Sequence, residues 1–295
     1  MSSLKASLIV AASGRDTHLV NTLRCALAQR HSALDILVVD SVENRSLIAE
    51  DFFTRKQSRI QRAVLPKRSR LALYNHAMAH ADGEVLIFIN DHVSFGPHFV
   101  EQHMACYLSA AIGGVQGRVV SDAPSSSRLP LLSRSCHLKG HFNCHISGVI
   151  NRLGEHNVSL RRSVAEQVGM FDEQMAESLE WAGADYGMRC SREGWQIRFE
   201  SDAELVLHGR QAAAGEKQCR QQRLTGQHAM AEALMVYRHL PPAMRFCHRL
   251  QQRWQGWRDI QQEQRDAWRA VGADIALPDA RTSTSHTLMN KVMTS

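Results

Sequence analysis

Two acids follow short apolar runs. Asp40 closes Ile36-Leu-Val-Val, and Asp91 sits in Asn90-Asp91-His92 directly after Glu84-Val-Leu-Ile-Phe-Ile89. A carboxylate at the C-terminal end of a buried parallel strand faces the crevice where open α/β sheets bind ligands. There it accepts hydrogen bonds from a base or ribose, or binds a divalent cation. The competing reading is a helix cap or solvated turn, since short polar residues are common after strands. The triplet weighs toward chemistry, because oxygen donors take Mg2+ or Mn2+ and imidazole suits Mn2+ and the later metals. His208 ends another β-like stretch, where a lone histidine is more often structural. Cys136, His137, His141, Cys144 and His145 are zinc-type ligands in the spacing of no zinc knuckle, and read as a loop. The turn Ala11-Ala-Ser-Gly14 has a single glycine, which excludes the dinucleotide fingerprint and the P-loop. No G-x-S-x-G elbow is present.

The elements that position these residues alternate. Strands are predicted at Leu8–Ala12, Ile36–Asp40, Ile60–Leu65 and 84–89. Helices are predicted after Asp16, which can cap the first of them, over 45–57, over 70–81 and from Pro97 to about 111. This order predicts a mostly parallel sheet flanked by helices. A strand at Gly113–Val120 precedes a loop over 121–156. Asn157–Leu160 leads into a helix with a capping box at Ser163-Val-Ala-Glu166 and a stop at Gly169. A helix over 184–193 and strands at 196–200 and 204–208 complete an α/β domain spanning 1–210.

Residues 211–275 read as a basic helical extension split at Pro241-Pro242, and 276–295 as a flexible tail. Within 243–270, Cys247, Leu250, Trp254, Trp257 and Trp268 form a narrow apolar stripe. Such a stripe packs on the rest of the chain or on a second copy, or lies on an anionic membrane.

The chain has 295 residues, 44% hydrophobic and 22% charged, which suits one large α/β domain with an appendage. No apolar run approaches the roughly 20 residues of a membrane span, and the N-terminus lacks signal-peptide features. Seven scattered cysteines without a C-x-x-C pair fit a reducing cytoplasm. Net charge is +6, and residues 209–270 hold eleven Lys/Arg against five Asp/Glu. A basic surface favours phosphorylated ligands, anionic lipid or nucleic acid. Scarce aromatics outside the tryptophan stripe make nucleic acid the weakest of the three.

In this order the segments resemble the family-2 glycosyltransferases with the GT-A fold, over about residues 4–210. The stretch ending in Val38-Val39-Asp40 is similar to the family's opening. "YNHAMAHADGEVLIFINDH" resembles its metal-acid motif, "NVSLRRSVAEQVGMFDE" its acceptor-side helix, and "DYGMRCSREGWQIRFESDAELVLH" its last helix and strand. The resemblance implies transfer of a sugar from a nucleotide-diphosphate donor, a UDP-sugar first, to a hydroxyl of a glycan, a lipid-linked glycan or a protein, with inversion. It implies that Ala11, Ser13, Arg15, Asp40, Arg70, Asn90 and Asp91 line the donor. Asp91, His92 and His208 would hold Mn2+ or Mg2+. Two departures stand out. The family's Asp-x-Asp is Asn90-x-His92, and its Glu-Asp pair, which holds the base, falls on Ala182-Gly183. The base then falls to Asp185, read as opening a helix, or to Glu180. The alternative is a degenerate scaffold that binds nucleotide or a partner without catalysis. Location in the cytoplasm, or at the inner face of the membrane, follows from the same reading.

Overall fold

The computed structural model describes residues 4–12, 16–41, 59–66, 69–121, 124–134, 136–175, 178–208, 226–241 and 245. The expected helix over 45–57, the tryptophan stripe of 243–270 and the tail lie outside these residues, as do Ser13 and Arg15. Met1–Pro242 forms one compact unit and Ala243–Ser295 a second. All the described elements belong to the first unit.

Three apolar runs become β1 (Ala6–Ala11), β2 (Leu34–Ser41) and β4 (Val85–Asn90), and the more polar Ile-Gln-Arg-Ala-Val-Leu becomes the edge strand β3 (Ile60–Leu65). Helix α1 (Asp16–Leu27) follows β1, and α2 (Arg70–His80) precedes β4. β1 runs parallel between β2 and β4, with Ala11 opposite both Val39 and Asn90. Every residue of β1 and β4 is buried. A parallel sheet is covered on both faces, so these runs are continuously apolar rather than alternating. Leu8, Val10, Ile87 and Ile89 meet Leu19 and Leu23 of α1 in one core.

The second half adds β5 (Val93–Phe95), α3 (Phe99–Cys106), β6 (Ile112–Val120), the short strands β7 (Leu131–Leu132), β8 (Leu138–Lys139) and β9 (Gly148–Ile150), then β10 (Val158–Arg161). Helix α4 (Arg162–Val168), a 3-10 turn (Glu173–Met175), α5 (Leu179–Arg192), β11 (Gln196–Leu207) and α6 (Gly226–His239) come next. The main sheet runs β3-β2-β1-β4-β10-β6-β11-β5, with β9 also on β11. β10 is antiparallel to β4 and β6, and β5 and β9 are antiparallel to β11. The other strands of this sheet are parallel to one another, giving the mostly parallel α/β sheet that the sequence predicts. Among the described residues no helix is long and apolar enough to cross a membrane.

Several expected boundaries move. The strands at 196–200 and 204–208 are one strand, β11, with a register shift between Glu200 and Glu204. Asn157 Nδ2 holds that bulge at the Ala203 carbonyl, 2.7 Å away. A Cβ on Gly117 would lie 2.3 Å from the same oxygen. The expected loop 121–156 contains β7 to β9. Helix α4 begins at Arg162 and has no side-chain cap, so Ser163 lies inside its first turn. β10 runs directly into the helix, and the cap position falls on Arg161, whose guanidinium instead reaches the Tyr107 carbonyl at 2.9 Å. Gly169, at φ +86, ends α4 as expected. Helix α5 begins at Leu179, well before 184, and buries Trp181 through Gly187 without interruption. Its polar residues Asp185, Arg189 and Arg192 share one face, but they mark the second half of the helix and leave its first turn without a polar signal of the same period. α6 belongs to the first compact unit, whereas the sequence places it in the extension.

Candidate active site

Ala11, Asp40 and Asn90 finish adjacent parallel strands at one edge of the sheet. Asp40 is 1% exposed. Its Oδ1 accepts the Ser41 N–H at 2.8 Å and its Oδ2 accepts Arg62 Nη2 at 2.7 Å. Arg62 lies on β3 opposite Val38, so the register sets this ion pair.

Asn90 is fixed from two sides. The Tyr74 hydroxyl of α2 donates to its Oδ1 at 3.0 Å, and its Nδ2 meets His156 Nδ1. The Thr22 hydroxyl of α1 lies 3.0 Å from the Asp91 carbonyl and 2.7 Å from that of Val93, and accepts the Val93 N–H at 3.2 Å. This holds the turn that carries Asp91 and His92, both buried. His92 Nδ1 sits 3.0 Å from Asp91 Oδ1. With the proton on Nδ1, the assignment this bond favours, Nε2 presents a lone pair. Nε2 is buried and bonded to no protein atom, which leaves its lone pair open to a ligand or a water.

His208 is brought to the same turn by its backbone: its N–H donates to the His92 carbonyl at 2.9 Å. Its exposed ring engages Ser94 Oγ at 2.7 Å through Nε2. Among the described residues no group of three or more His, Cys, Asp or Glu is gathered as a metal site. The Cys/His-rich stretch is thus no preformed cluster: Cys136 and Cys144 are buried free thiols, while His141 and His145 point to solvent.

Sequence reasoning missed Glu155 and His156, which fall in the expected loop. The His92 and His156 rings meet edge to face at 5.9 Å. Glu155 Oε2 lies 3.7 Å from Arg70 Nη1 and 3.7 Å from His156 Nε2. The protein packed around Glu155 raises its carboxyl above the usual range although the side chain keeps 40% exposure; Arg70 opposes this and Glu180 adds to it. Burial first, then Arg70 and His92, holds the His156 imidazole well below its usual range and therefore neutral.

The two expected bases differ in surroundings. Asp185 does not open a helix; it lies in the second turn of α5, away from the N-terminal dipole. It is fully buried. Its Oδ2 accepts Arg189 Nε at 2.9 Å and its Oδ1 accepts His239 Nε2 at 2.8 Å. Burial pushes this carboxyl up, but the bonds from His239 and Arg189 prevail and leave it below its usual range. Glu180 is in the first turn of α5, with Oε1 3.5 Å from Arg152 Nη1. Where the family pattern has its acid pair, a Cβ on Gly183 would sit 2.4 Å from the Leu153 carbonyl oxygen. No carboxylate fits there without moving backbone.

Residues 7–168 match the profile described as "Glycosyl transferase family 2". No curated protein matches the chain significantly. Among solved structures, the mannosyltransferase PcManGT from Pyrobaculum calidifontis, in complex with GDP-Man and Mn2+, aligns with TM-score 0.62 at 14% identity over 99% of this chain and 81% of that one. GalNAc-T7 with UDP, GalNAc and Mn2+ aligns with TM-score 0.58 at 9% identity over 70% of this chain. The alignment spans only 44% of GalNAc-T7. S. aureus TarS gives TM-score 0.55 at 10% identity, covering 82% of this chain and 41% of that one. At these identities the structures establish the fold, which is that of the GT-A glycosyltransferases. The profile match covers more than half of the sequence and includes β1, β2, β4 and the Asn90-Asp91-His92 turn, so the chain belongs to glycosyl transferase family 2.

Proposed function

We propose that this chain transfers a sugar from a nucleoside-diphosphate donor, a UDP-sugar in the first instance, to a hydroxyl acceptor with inversion, assisted by Mn2+ or Mg2+. The observation that carries the reading is the buried, unpartnered Nε2 of His92, backed by Asp91, where β1, β2 and β4 end side by side. The nucleotide and Mn2+ named with GalNAc-T7 and the GDP-Man and Mn2+ named with PcManGT support a nucleotide donor and a metal.

On this reading Asp40 receives the base or ribose, and Ala11, Ser13, Arg15, Arg70, Asn90 and Asp91 line the rest of the donor site. The donor set fits a divalent transition metal: one imidazole lone pair with a carboxylate behind it, and His208 one backbone hydrogen bond away. His92 would hold the ion through Nε2, with Asp91 orienting the ring from its Nδ1 side; Asp91 or His208 would join as a ligand only after its side chain turns from its present partner. When bound, it offsets the charge of the departing diphosphate. One carboxylate and imidazoles favour Mn2+ over Mg2+. The acceptor is a glycan, a lipid-linked glycan or a protein. The basic segment 243–270 is proposed to bring the enzyme to an anionic membrane or to a second copy.

The experiment is a thermal-shift screen of UDP- and GDP-linked hexoses with and without Mn2+, followed by assay of nucleoside-diphosphate release. Stabilisation that needs both nucleotide and Mn2+ supports the reading. Absence of any nucleotide effect overturns it. The closed space at Gly183 favours a second reading, a scaffold that binds nucleotide without turnover. Binding without diphosphate release would select it.

A further inference from the structure

We propose that Glu155 is the base that deprotonates the acceptor hydroxyl, an assignment that rests on the transferase reading above. Helix α5 leaves room for it. Gly183 and Gly187 let the chain from Asn151 to Gly154 lie directly on the helix: Cβ atoms there would sit 2.4 Å from the Leu153 oxygen and 2.6 Å from the Asn151 oxygen. The Leu153 N–H also donates to the Gly183 carbonyl at 3.1 Å. The segment that closes the family's acid position therefore delivers the next residue, Glu155, to the strand-end crevice.

Its backbone is pinned on both sides by one side chain. Gln116 Oε1 accepts the Gly154 N–H at 2.6 Å, and Gln116 Nε2 donates to the His156 carbonyl at 2.8 Å. The Tyr74 hydroxyl, bonded to Asn90, lies 3.4 Å from the Glu155 carbonyl. A group held this way reaches its geometry before substrate arrives.

The Glu155 side chain is 40% exposed, and its 3.7 Å contact with Arg70 leaves lone pairs available. His156 links the carboxylate to the His92 ring: its Nε2 lies 3.7 Å from Glu155 Oε2 and its ring meets His92 edge to face at 5.9 Å. Glu180, tied to Arg152, stands behind it as a second negative charge. Asp185, the alternative, is fully buried with both oxygens bonded, at 2.9 Å to Arg189 and 2.8 Å to His239, so Glu155 is the carboxylate open to an acceptor proton.

In the step itself the acceptor oxygen forms a bond to the anomeric carbon as the bond from that carbon to the diphosphate oxygen breaks. The electron pair leaves with the nucleoside diphosphate, and the acceptor proton passes to a Glu155 carboxylate oxygen.

The test compares the full chain with Glu155→Gln, Glu155→Ala, Glu180→Gln and Asp185→Asn. UDP and GDP binding with Mn2+ is measured by calorimetry, and diphosphate release from UDP- and GDP-linked hexoses by assay. Glu155→Gln should bind nucleotide as the parent does and lose about 10²–10⁴-fold in turnover. Added formate should restore part of the loss in Glu155→Ala, where it fills the vacated space. Glu155→Gln with parental turnover overturns the assignment, as does loss of nucleotide binding in step with turnover. A parent chain that binds nucleotide and releases no diphosphate removes the transferase reading itself, and the base with it.

Discussion

Around Asp185, acid, histidine and arginine meet with both carboxylate oxygens taken; around Glu155 the same residue types meet with capacity to spare. Asp185 is fully buried and bonded at 2.9 and 2.8 Å, with Arg238 bridging it at 3.6 Å to Asp172 at 2.6 Å. Those partners come from α5, α6 and the segment before the 3-10 turn, so the cluster docks α6. Glu155 has two contacts of 3.7 Å, neighbours a neutral imidazole, and reaches solvent. Composition alone does not separate the two. At Asp185 the bonded partners draw α5 and α6 together, whereas the Glu155 carboxylate keeps lone pairs and solvent access for a ligand.

The comparison breaks most readily at Asp185. Asp185→Ala strands Arg189, Arg238 and His239 around a cavity. Removing one partner of a buried ion pair costs about 3–5 kcal/mol, on the order of 10 °C in Tm for a chain of this size. Thermal unfolding and limited proteolysis near α6 measure the loss. If Asp185→Ala keeps its Tm yet loses turnover, the two clusters have exchanged roles and Asp185 is the base after all.

Gly183 tests the other side. Gly183→Ala places a methyl against the Leu153 oxygen, and overpacking of this kind costs roughly 1–3 kcal/mol. The expected result is a lower Tm with reduced turnover, because the segment it displaces also carries Glu155. A fully stable Gly183→Ala would mean that residues 151–154 do not rest on α5.

At the donor end, Asp40→Ala removes a charged hydrogen bond of about 1.5–3 kcal/mol and should weaken nucleotide binding by about tenfold or more. His92→Ala should remove the Mn2+-dependent part of nucleotide stabilisation and leave the Mn2+-independent part. Calorimetry with and without EDTA reads both. Equal Mn2+ dependence in His92→Ala and the parent would move the metal away from the orphan nitrogen.

Much of this arrangement is legible in the sequence. Strands β1, β2 and β4 are built on the apolar runs 8–12, 36–39 and 85–89, the last two ended by polar residues, and a parallel sheet then places Asp40 and Asn90-Asp91-His92 at neighbouring strand ends. The edge strand β3, Ile-Gln-Arg-Ala-Val-Leu65, carries a weaker signal. The start of α5 is not legible, because Ser178 makes no side-chain cap bond and Ala182-Gly-Ala184 places a poor helix former in the buried first half. Asp185 consequently reads as a helix opener stabilised by a dipole, when Arg189 and His239 hold it. Glu155 and His156 escape for a different reason. Their position depends on Tyr74, Gln116 and Gly183, each 27 or more residues away in sequence, and no local pattern encodes a contact made at such separations. The Arg62–Asp40 pair likewise exists only once β2 and β3 are in register.

The smallest predicted effect also separates the clusters most cleanly, because its sign differs between them. Asp185 has a folded pKa below the ordinary aspartate value of about 3.9. Its network therefore contributes stability above that value and loses it as pH falls through the folded pKa. Asp185→Asn should be less stable than the parent at neutral pH, and the gap should close in acid. Glu155 has a folded pKa above the ordinary glutamate value of about 4.3. The folded state then takes up this proton more readily than the unfolded chain, so stability is greatest in acid and declines as pH rises through the folded pKa. Glu155→Gln removes that decline. It should match the parent below about pH 4 and equal or exceed it at neutral pH, by a small margin because a 40% exposed carboxylate is screened by solvent. Arg70 works against the gain by favouring the ionised carboxylate, and Glu180 works with it. Urea denaturation across this pH range gives both curves. A Glu155→Gln protein that is clearly less stable at neutral pH would show Glu155 to be a structural anchor like Asp185, and the distinction between the two clusters would collapse.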